Sequence, residues 1–250
     1  MDIKSLIKRI VLPNTYSEEA YIRYLRSKKI LVGDNVKIWS PNHTFIDDTK
    51  PYLIKIGNNV KITQGVSILA HDYSRSVLRR QYGIFKGGTL PVNIGDNVFI
   101  GYNTTILMGT TIGNNSIIGA NSLVKGVFPD NSVIAGNPAR VICTIDKLWE
   151  KESENWVKNA KIVARQIYIN KGGVMPTIEE MSDAYVCLYL PRTEENINKY
   201  KKFFALTGDD FEDYKKHFMG GYLHIRILKN FLTILILNNE KIFNSRYPFV

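Results

Sequence analysis

The sequence predicts a mainly β fold: a parallel β-helix preceded by short helices, with one protruding loop and an α-helical C-terminal region. Three observations predict it. Aliphatic residues stand at Ile94, Ile100, Ile106, Ile112, Ile118 and Val124, six apart without a slip. Gly follows at 95, 101, 113 and 119, and Asn or Asp recurs in the next two places. Before this run the register breaks between Ile68 and Ile94, which stand 26 residues apart where one rung takes six. A period of six fits neither the 3.6 of a helix nor a two-residue alternation. It fits a coil of very short strands whose corners recur every six residues, with the aliphatic side chain inward each time. Gly, Asn and Asp tolerate the positive-φ conformations that such corners need.

Length and composition bound the rest. A chain of 250 residues with 44% hydrophobic residues has material for a core and a sizeable appendage. Its most apolar stretch, Leu223 to Leu237, is interrupted by His224, Arg226, Lys229 and Asn230, so no membrane span is expected. Lysines run through the opening MDIKSLIKRIVLPN, which argues against a secretory signal and for the cytoplasm. Cys143 and Cys187 have no paired-ligand spacing. The net charge of +10 comes from scattered lysines and arginines, without the arrays that read nucleic acid, so no nucleic-acid partner is expected.

In chain order, residues 2 to 12 alternate charge and aliphatics at helical spacing until Pro13. Thr15 then opens a second helix through a Thr15-x-x-Glu18 capping box. The first hexad follows at Val32-Gly33-Asp34-Asn35-Val36. The rhythm blurs through SPNHTFIDDTKPYL and returns at Ile56, Ile62 and Ile68. About twenty extra residues loop out between 69 and 93, and a regular coil gains no stability from them. Long ordered loops on a rigid scaffold are where function concentrates. Residues 147 to about 170 read as a helix, another starts at Thr177 with a capping box to Glu180, and two more follow Pro191 and Asp209. Trp149, Trp156, Ile162, Val163, Ile167 and Tyr168 form a packing stripe. The expected domains are 1–29 (helices), 30–145 (coil) and 146–250 (helices).

A hexad array, an interrupting loop that starts with His71, and a terminal AGNPARVI at 135–142 together resemble the left-handed β-helix acyltransferases. Within them, residues 30 to 145 are most similar to the sugar and polysaccharide O-acetyltransferases, the group of the maltose and galactoside acetyltransferases. The hand of the coil is implied by this resemblance, since the period alone does not fix it. Also implied are acetyl-CoA as acyl donor, a homotrimer with active sites at subunit interfaces, and a sugar or glycan acceptor. An acceptor of capsule or O-antigen type would bring loose association with membrane-bound glycan assembly.

Transfer from a thioester to a hydroxyl needs a base for the alcohol proton, a donor for the developing oxyanion and a groove for the carrier. Imidazole suits the first task near neutral pH. His71 matches the family's catalytic His, and Asp72 is the candidate to orient it. Asn42, in the NHTFIDD stretch, is the candidate acceptor contact, with Asp48, Arg79 and Tyr82 as further substrate-binding residues. His43 is not expected to act, since its side chain should alternate away from Asn42. Gly101, Tyr102 and Ala120 match rung positions facing the pantetheine arm, and an N–H near Tyr102 is the candidate oxyanion donor. Arg140 suits a phosphate. Where the family commonly has Thr-Lys-Asp, this chain has Lys125-Gly126-Val127, which places Lys125 as the matching charge one position early. No metal is expected: a β-helix hydratase needs three His ligands, and only His43 and His71 lie in the coil. N-acetylation of an amino sugar, acetylation of a xenobiotic and a non-catalytic β-helix scaffold are the alternatives.

Overall fold

Six-residue periodicity becomes a three-sided coil. The computed structural model describes residues 10–177, 179–181, 185, 192–204 and 211–220, in two compact units, Met1–Leu148 and Trp149–Val250. In the first unit, one face holds β1 (Leu31–Val32), β4 (Ile54–Ile56), β9 (Val92–Ile94), β12 (Thr111–Ile112) and β15 (Val127–Phe128). A second holds β2 (Lys37–Ile38), β5 (Lys61–Ile62), β10 (Val98–Ile100), β13 (Ser116–Ile118) and β16 (Ser132–Gly136), closed by antiparallel β17 (Ala139–Thr144). The third holds β3 (Phe45–Ile46), β6 (Ser67–Ile68), β11 (Thr105–Ile106) and β14 (Leu123–Val124). Every neighbouring pair within the coil is parallel, in the registers Ile94↔Ile112, Ile100↔Ile118 and Ile106↔Val124. Three hexads therefore make one turn.

The inward residues stack into one core. Ile38, Ile56, Ile62, Ile68, Ile94, Ile100, Ile106, Ile112 and Ile118 are all fully buried, and each such side chain contributes roughly 1.5–3 kcal/mol relative to exposure. The corners divide the work between two residue types. The positive-φ corner positions are Asn35, Asn59, Asn97, Asn103, Asn115, Asn121 and Asn131, joined by Gly65 and Gly109, whereas the glycines directly after the inward aliphatics do not have positive φ. Those glycines answer a different demand, close approach between coils. A Cβ on Gly101 would lie 2.6 Å from Ala120 N and 2.7 Å from Ile118 O. The asparagines also bond to each other across turns, Asn97 Nδ2 donating to Asn115 Oδ1 at 2.9 Å.

Before the coil, α1 (Glu18–Ser27) is capped by Ser17, whose hydroxyl accepts from Ala20 N–H at 3.2 Å. The Thr15 capping box does not form. Thr15 lies in a turn, its N–H donating to Leu12 O, and the helix opens three residues later. The preceding helical pattern falls mostly outside the described residues, and its helical end at Val11 agrees with a stop at Pro13.

In the second unit, the part of α3 (Ile145–Asn170) from Trp149 onward carries Ala160 and Ala164, buried with Met181 and flanked by Trp156, Val157, Val163, Ile167 and Tyr185. Trp149 and Ile162, expected in that stripe, are exposed. Thr177 and Glu180 form the reciprocal bonds of a capping box, but the helix expected after them lies partly outside the described residues. Past Pro191 come α4 (Glu194–Lys199), capped by Thr193, then α5 (Lys201–Phe204) and α6 (Phe211–Gly220). Among the described residues no helix is long and apolar enough to cross a membrane. Cys143 is a free thiol, and Cys187 lies outside the described residues.

Candidate active site

The excursion leaves the coil at Ala70 and returns at Val92. Its two ends pair as β7 (His71–Asp72) and β8 (Gly88–Thr89), antiparallel, in the register His71↔Thr89. Between them α2 (Ser76–Tyr82) ends at Gly83, whose φ of 72° is the left-handed stop that glycine adopts freely. His71 therefore stands where a regular rung gives way to a closed hairpin, its side chain 19% exposed.

The imidazole has a carboxylate partner, and it is not Asp72. Asp47 Oδ2 lies 2.5 Å from His71 Nδ1, and the Asp47 side chain is fully buried. Thr49 N–H and hydroxyl both donate to Asp47 Oδ1, at 3.0 and 2.6 Å, and Ala70 N–H donates to Oδ2 at 3.2 Å. Burial alone would raise the Asp47 pKa; the donors on Thr49, His71 and Ala70 outweigh it and hold the carboxyl below its ordinary value. Asp72 is turned to its own loop instead, accepting from Ser74 N–H at 2.8 Å. That Ser74 contact, aided by Arg75 and Lys125, lowers its pKa. The adjacent acid loses to one on the neighbouring coil because strand alternation turns it away from the ring.

Coil stacking delivers Asp47. β3 pairs with β6 in the register Ile46↔Ile68, and Asp47 N–H extends the ladder to Ile68 O at 3.0 Å. Position 47 thus stacks against 69, within reach of His71. With Asp47 accepting at Nδ1, the proton is assigned to that nitrogen and the Nε2 lone pair is left to meet a substrate. Tyr73 lies against the imidazole, ring centroids 4.4 Å apart, and Phe85 continues the apolar wall 6.0 Å from Tyr73.

The other expected residues are placed as follows. Asn42 is exposed in a 3-10 turn, Pro41–His43, so the strand alternation used to set His43 aside does not operate there. His43 Nδ1 pairs with Ser40 Oγ at 3.0 Å. Asp48 accepts a short hydrogen bond from the Tyr24 hydroxyl. Arg79 and Tyr82 are exposed on α2. Among the described residues, none of Asn42, Asp48, Arg79 and Tyr82 hydrogen-bonds to His71.

Gly101, Tyr102 and Ala120 line one corner of the coil. At the preceding corner, side chains close the gaps between turns: Asp96 N–H donates to Asn114 Oδ1 and Asn114 N–H to Asp130 Oδ1, both at 2.8 Å. Tyr102 holds the place corresponding to Asp96, and above it Ala120 has no side-chain acceptor to offer. Gly101 N–H is already bonded to Ile118 O, which leaves the N–H groups of Tyr102 and Ala120 available to a ligand, Tyr102 being the expected oxyanion donor. Lys125 and Arg140 are exposed, Arg140 Nη1 donating to Ala139 O at 2.8 Å.

Comparisons with known proteins give the family. A family model described as the hexapeptide repeat of succinyl-transferase matches residues 91–125. Protein CapG of Staphylococcus aureus is 40% identical over 147 residues, which cover 58% of this chain and 84% of CapG. The galactoside O-acetyltransferase of Escherichia coli is 34% identical over 165 residues, covering 64% of this chain and 75% of the relative. The chain belongs to the hexapeptide-repeat acetyltransferases. A crystal structure of a hexapeptide-repeat acetyltransferase from Vibrio cholerae aligns at 26% identity with a TM-score of 0.43, covering 57% of this chain and 89% of that one. The coil is accordingly the left-handed parallel β-helix of this acetyltransferase family, and the chain is an acyltransferase.

Proposed function

We propose that this acetyltransferase moves an acetyl group from acetyl-CoA to a hydroxyl of a sugar or cell-surface polysaccharide, in a direct ternary complex with His71 as general base. The carrying observation is the Asp47–His71 pair, which engages Nδ1 and leaves Nε2 without a hydrogen bond among the described residues. Nε2 takes the hydroxyl proton as the oxygen attacks the thioester carbonyl. The carbonyl oxygen becomes an oxyanion, met by the Tyr102 amide, which is fixed by the rung and needs no reorganisation. Collapse of the intermediate expels the CoA thiolate, which takes the proton back from Nε2, and every group ends in its starting state. The buried Asp47 carboxylate holds the ring and stabilises the transient imidazolium without accepting the proton itself.

The similarity to a galactoside O-acetyltransferase supports a sugar hydroxyl as acceptor. The testing experiment is an acceptor screen with labelled acetyl-CoA over free sugars, nucleotide sugars, glycan fragments and amino sugars. Alkali-labile ester product on a glycan hydroxyl is the expected result. Amide product confined to amino sugars would overturn the O-transfer assignment.

Pantetheine would run along the Gly101–Ala120 corner, with Lys125 and Arg140 near the phosphates. Arg140→Ala is expected to raise the KM for acetyl-CoA about tenfold with little change in kcat, since a phosphate contact away from the reacting atoms is uniform binding. An unchanged KM removes the phosphate role. The site is also proposed to be shared between subunits of a trimer, checked by light scattering: a mass of one chain would refute it.

A further inference from the structure

The strand that delivers Asp47 has an unprotected side. β3 is the edge strand of its face, paired with β6 only. Phe45 and Asp47 donate their N–H groups inward, to Val66 O and Ile68 O. Thr44 C=O and Ile46 N–H therefore point outward, where a further strand would bond them. Both are engaged by one atom. The Tyr21 hydroxyl donates to Thr44 O at 3.2 Å and accepts from Ile46 N–H at 3.3 Å. Tyr21 is 5% exposed, on the buried side of α1 with Ala20 and Leu25. A single hydroxyl thus supplies the donor and the acceptor of a missing strand, one residue before Asp47. One turn along the helix, Tyr24 ties down the next residue of the same loop by donating to Asp48.

From this we infer that Tyr21 is a positioning residue for acetyl transfer, clipping the edge of β3 so that Asp47 meets His71 Nδ1. The inference rests on His71 being the base. A one-residue strand end is a poor anchor for a catalytic carboxylate, because an unpaired edge is free to shift. The clip removes that freedom where the Asp47–His71 bond has least tolerance. Burial pushes the Tyr21 hydroxyl up to about 12, so it remains a donor through the working pH range. The helix before the coil is by this reading part of the catalytic apparatus, acting through Asp47 and not on substrate.

The test is Tyr21→Phe, read on the imidazole itself. Long-range proton–nitrogen NMR on histidine-labelled protein, with the His71 signal assigned from His71→Ala, reports which ring nitrogen carries the proton. Wild type is expected to show the Nδ1–H tautomer. Tyr21→Phe is expected to populate Nε2–H and to lower kcat about tenfold, with the KM for acetyl-CoA within about twofold, because only part of the general-base contribution is lost. Leu25→Ala loosens the same helix without touching the clip, and is expected to keep the wild-type tautomer. An unchanged tautomer in Tyr21→Phe, or an equal change in Leu25→Ala, overturns the inference. Should Tyr21→Phe not fold, p-aminophenylalanine at this position keeps the donor and weakens the acceptor, and an intermediate tautomer shift is the expected result; no shift overturns it. If His71→Ala retains turnover, the base assignment falls, and the tautomer still judges the clip by itself.

Discussion

His71→Ala is expected to lower turnover at least about a hundredfold, the low end of what a positioned general base contributes, while acetyl-CoA binds with unchanged affinity. A hundredfold corresponds to about 2.7 kcal/mol of transition-state stabilisation. The isoleucine packing of the coil should be kept, while Asp47 loses one of its four hydrogen-bond partners. The imidazole is partly exposed and its ring nitrogens bond only to Asp47 and Thr49 among the described residues, so removing it opens no gap in the isoleucine core. The measurement pairs steady-state turnover with a calorimetric titration of acetyl-CoA. Retained turnover would remove His71 from the mechanism, and lost binding would make it a cofactor contact instead of a base.

Much of the fold is legible because one constraint repeats. A side chain that must face inward every six residues leaves a trace at each rung from Ile94 to Val124, and the structure turns each trace into a fully or nearly fully buried residue. The division of labour at the corners is less legible. Gly and Asn both tolerate positive φ, so composition does not tell which one uses it; the asparagines do, with Gly65 and Gly109, and the glycines directly after the inward aliphatics serve close approach. The candidate site is half legible. The break in rhythm points to His71, because an excursion needs a reason. Its partner Asp47 is hidden because it lies 24 residues away, across a coil whose length is irregular. The regular turn advances by 18, as from Ile94 to Ile112, but Ile46 and Ile68 are 22 apart. Counting rungs fails in SPNHTFIDDTKPYL, where the 3-10 turn Pro51–Leu53 lies inside the long step from Ile46 to Ile56, and Pro41–His43 lies in the step before it. The signal that was available is Asp47 itself: an acid directly after an inward isoleucine, where the matching positions of the same face are Leu69, Leu107 and Lys125.

Asp47→Asn is expected to cost at least about a hundredfold in kcat, for a reason that differs from loss of the base. All four bonds to this side chain are accepted by its two oxygens, from Thr49 N–H, the Thr49 hydroxyl, Ala70 N–H and His71. An amide keeps one acceptor and adds two donors. Turned toward Thr49, its NH2 opposes two donors; turned toward His71, it opposes Ala70 N–H and forces the imidazole to accept at Nδ1. The ring would then carry its proton on Nε2, where the substrate hydroxyl needs a lone pair. Either orientation also leaves a buried donor unpaired, a loss of about 1–3 kcal/mol of stability. Acid separates this from a packing effect. Because the Asp47 pKa is held below the ordinary carboxylate value, its contribution to stability is complete above the unfolded-state pKa and is lost as pH falls through the folded one. The stability gap between wild type and Asp47→Asn should therefore narrow on acidification below the ordinary carboxylate range, followed by thermal unfolding across pH. A gap that stays constant to the acid end would mean that the carboxylate charge is not what holds the His71 loop to the coil.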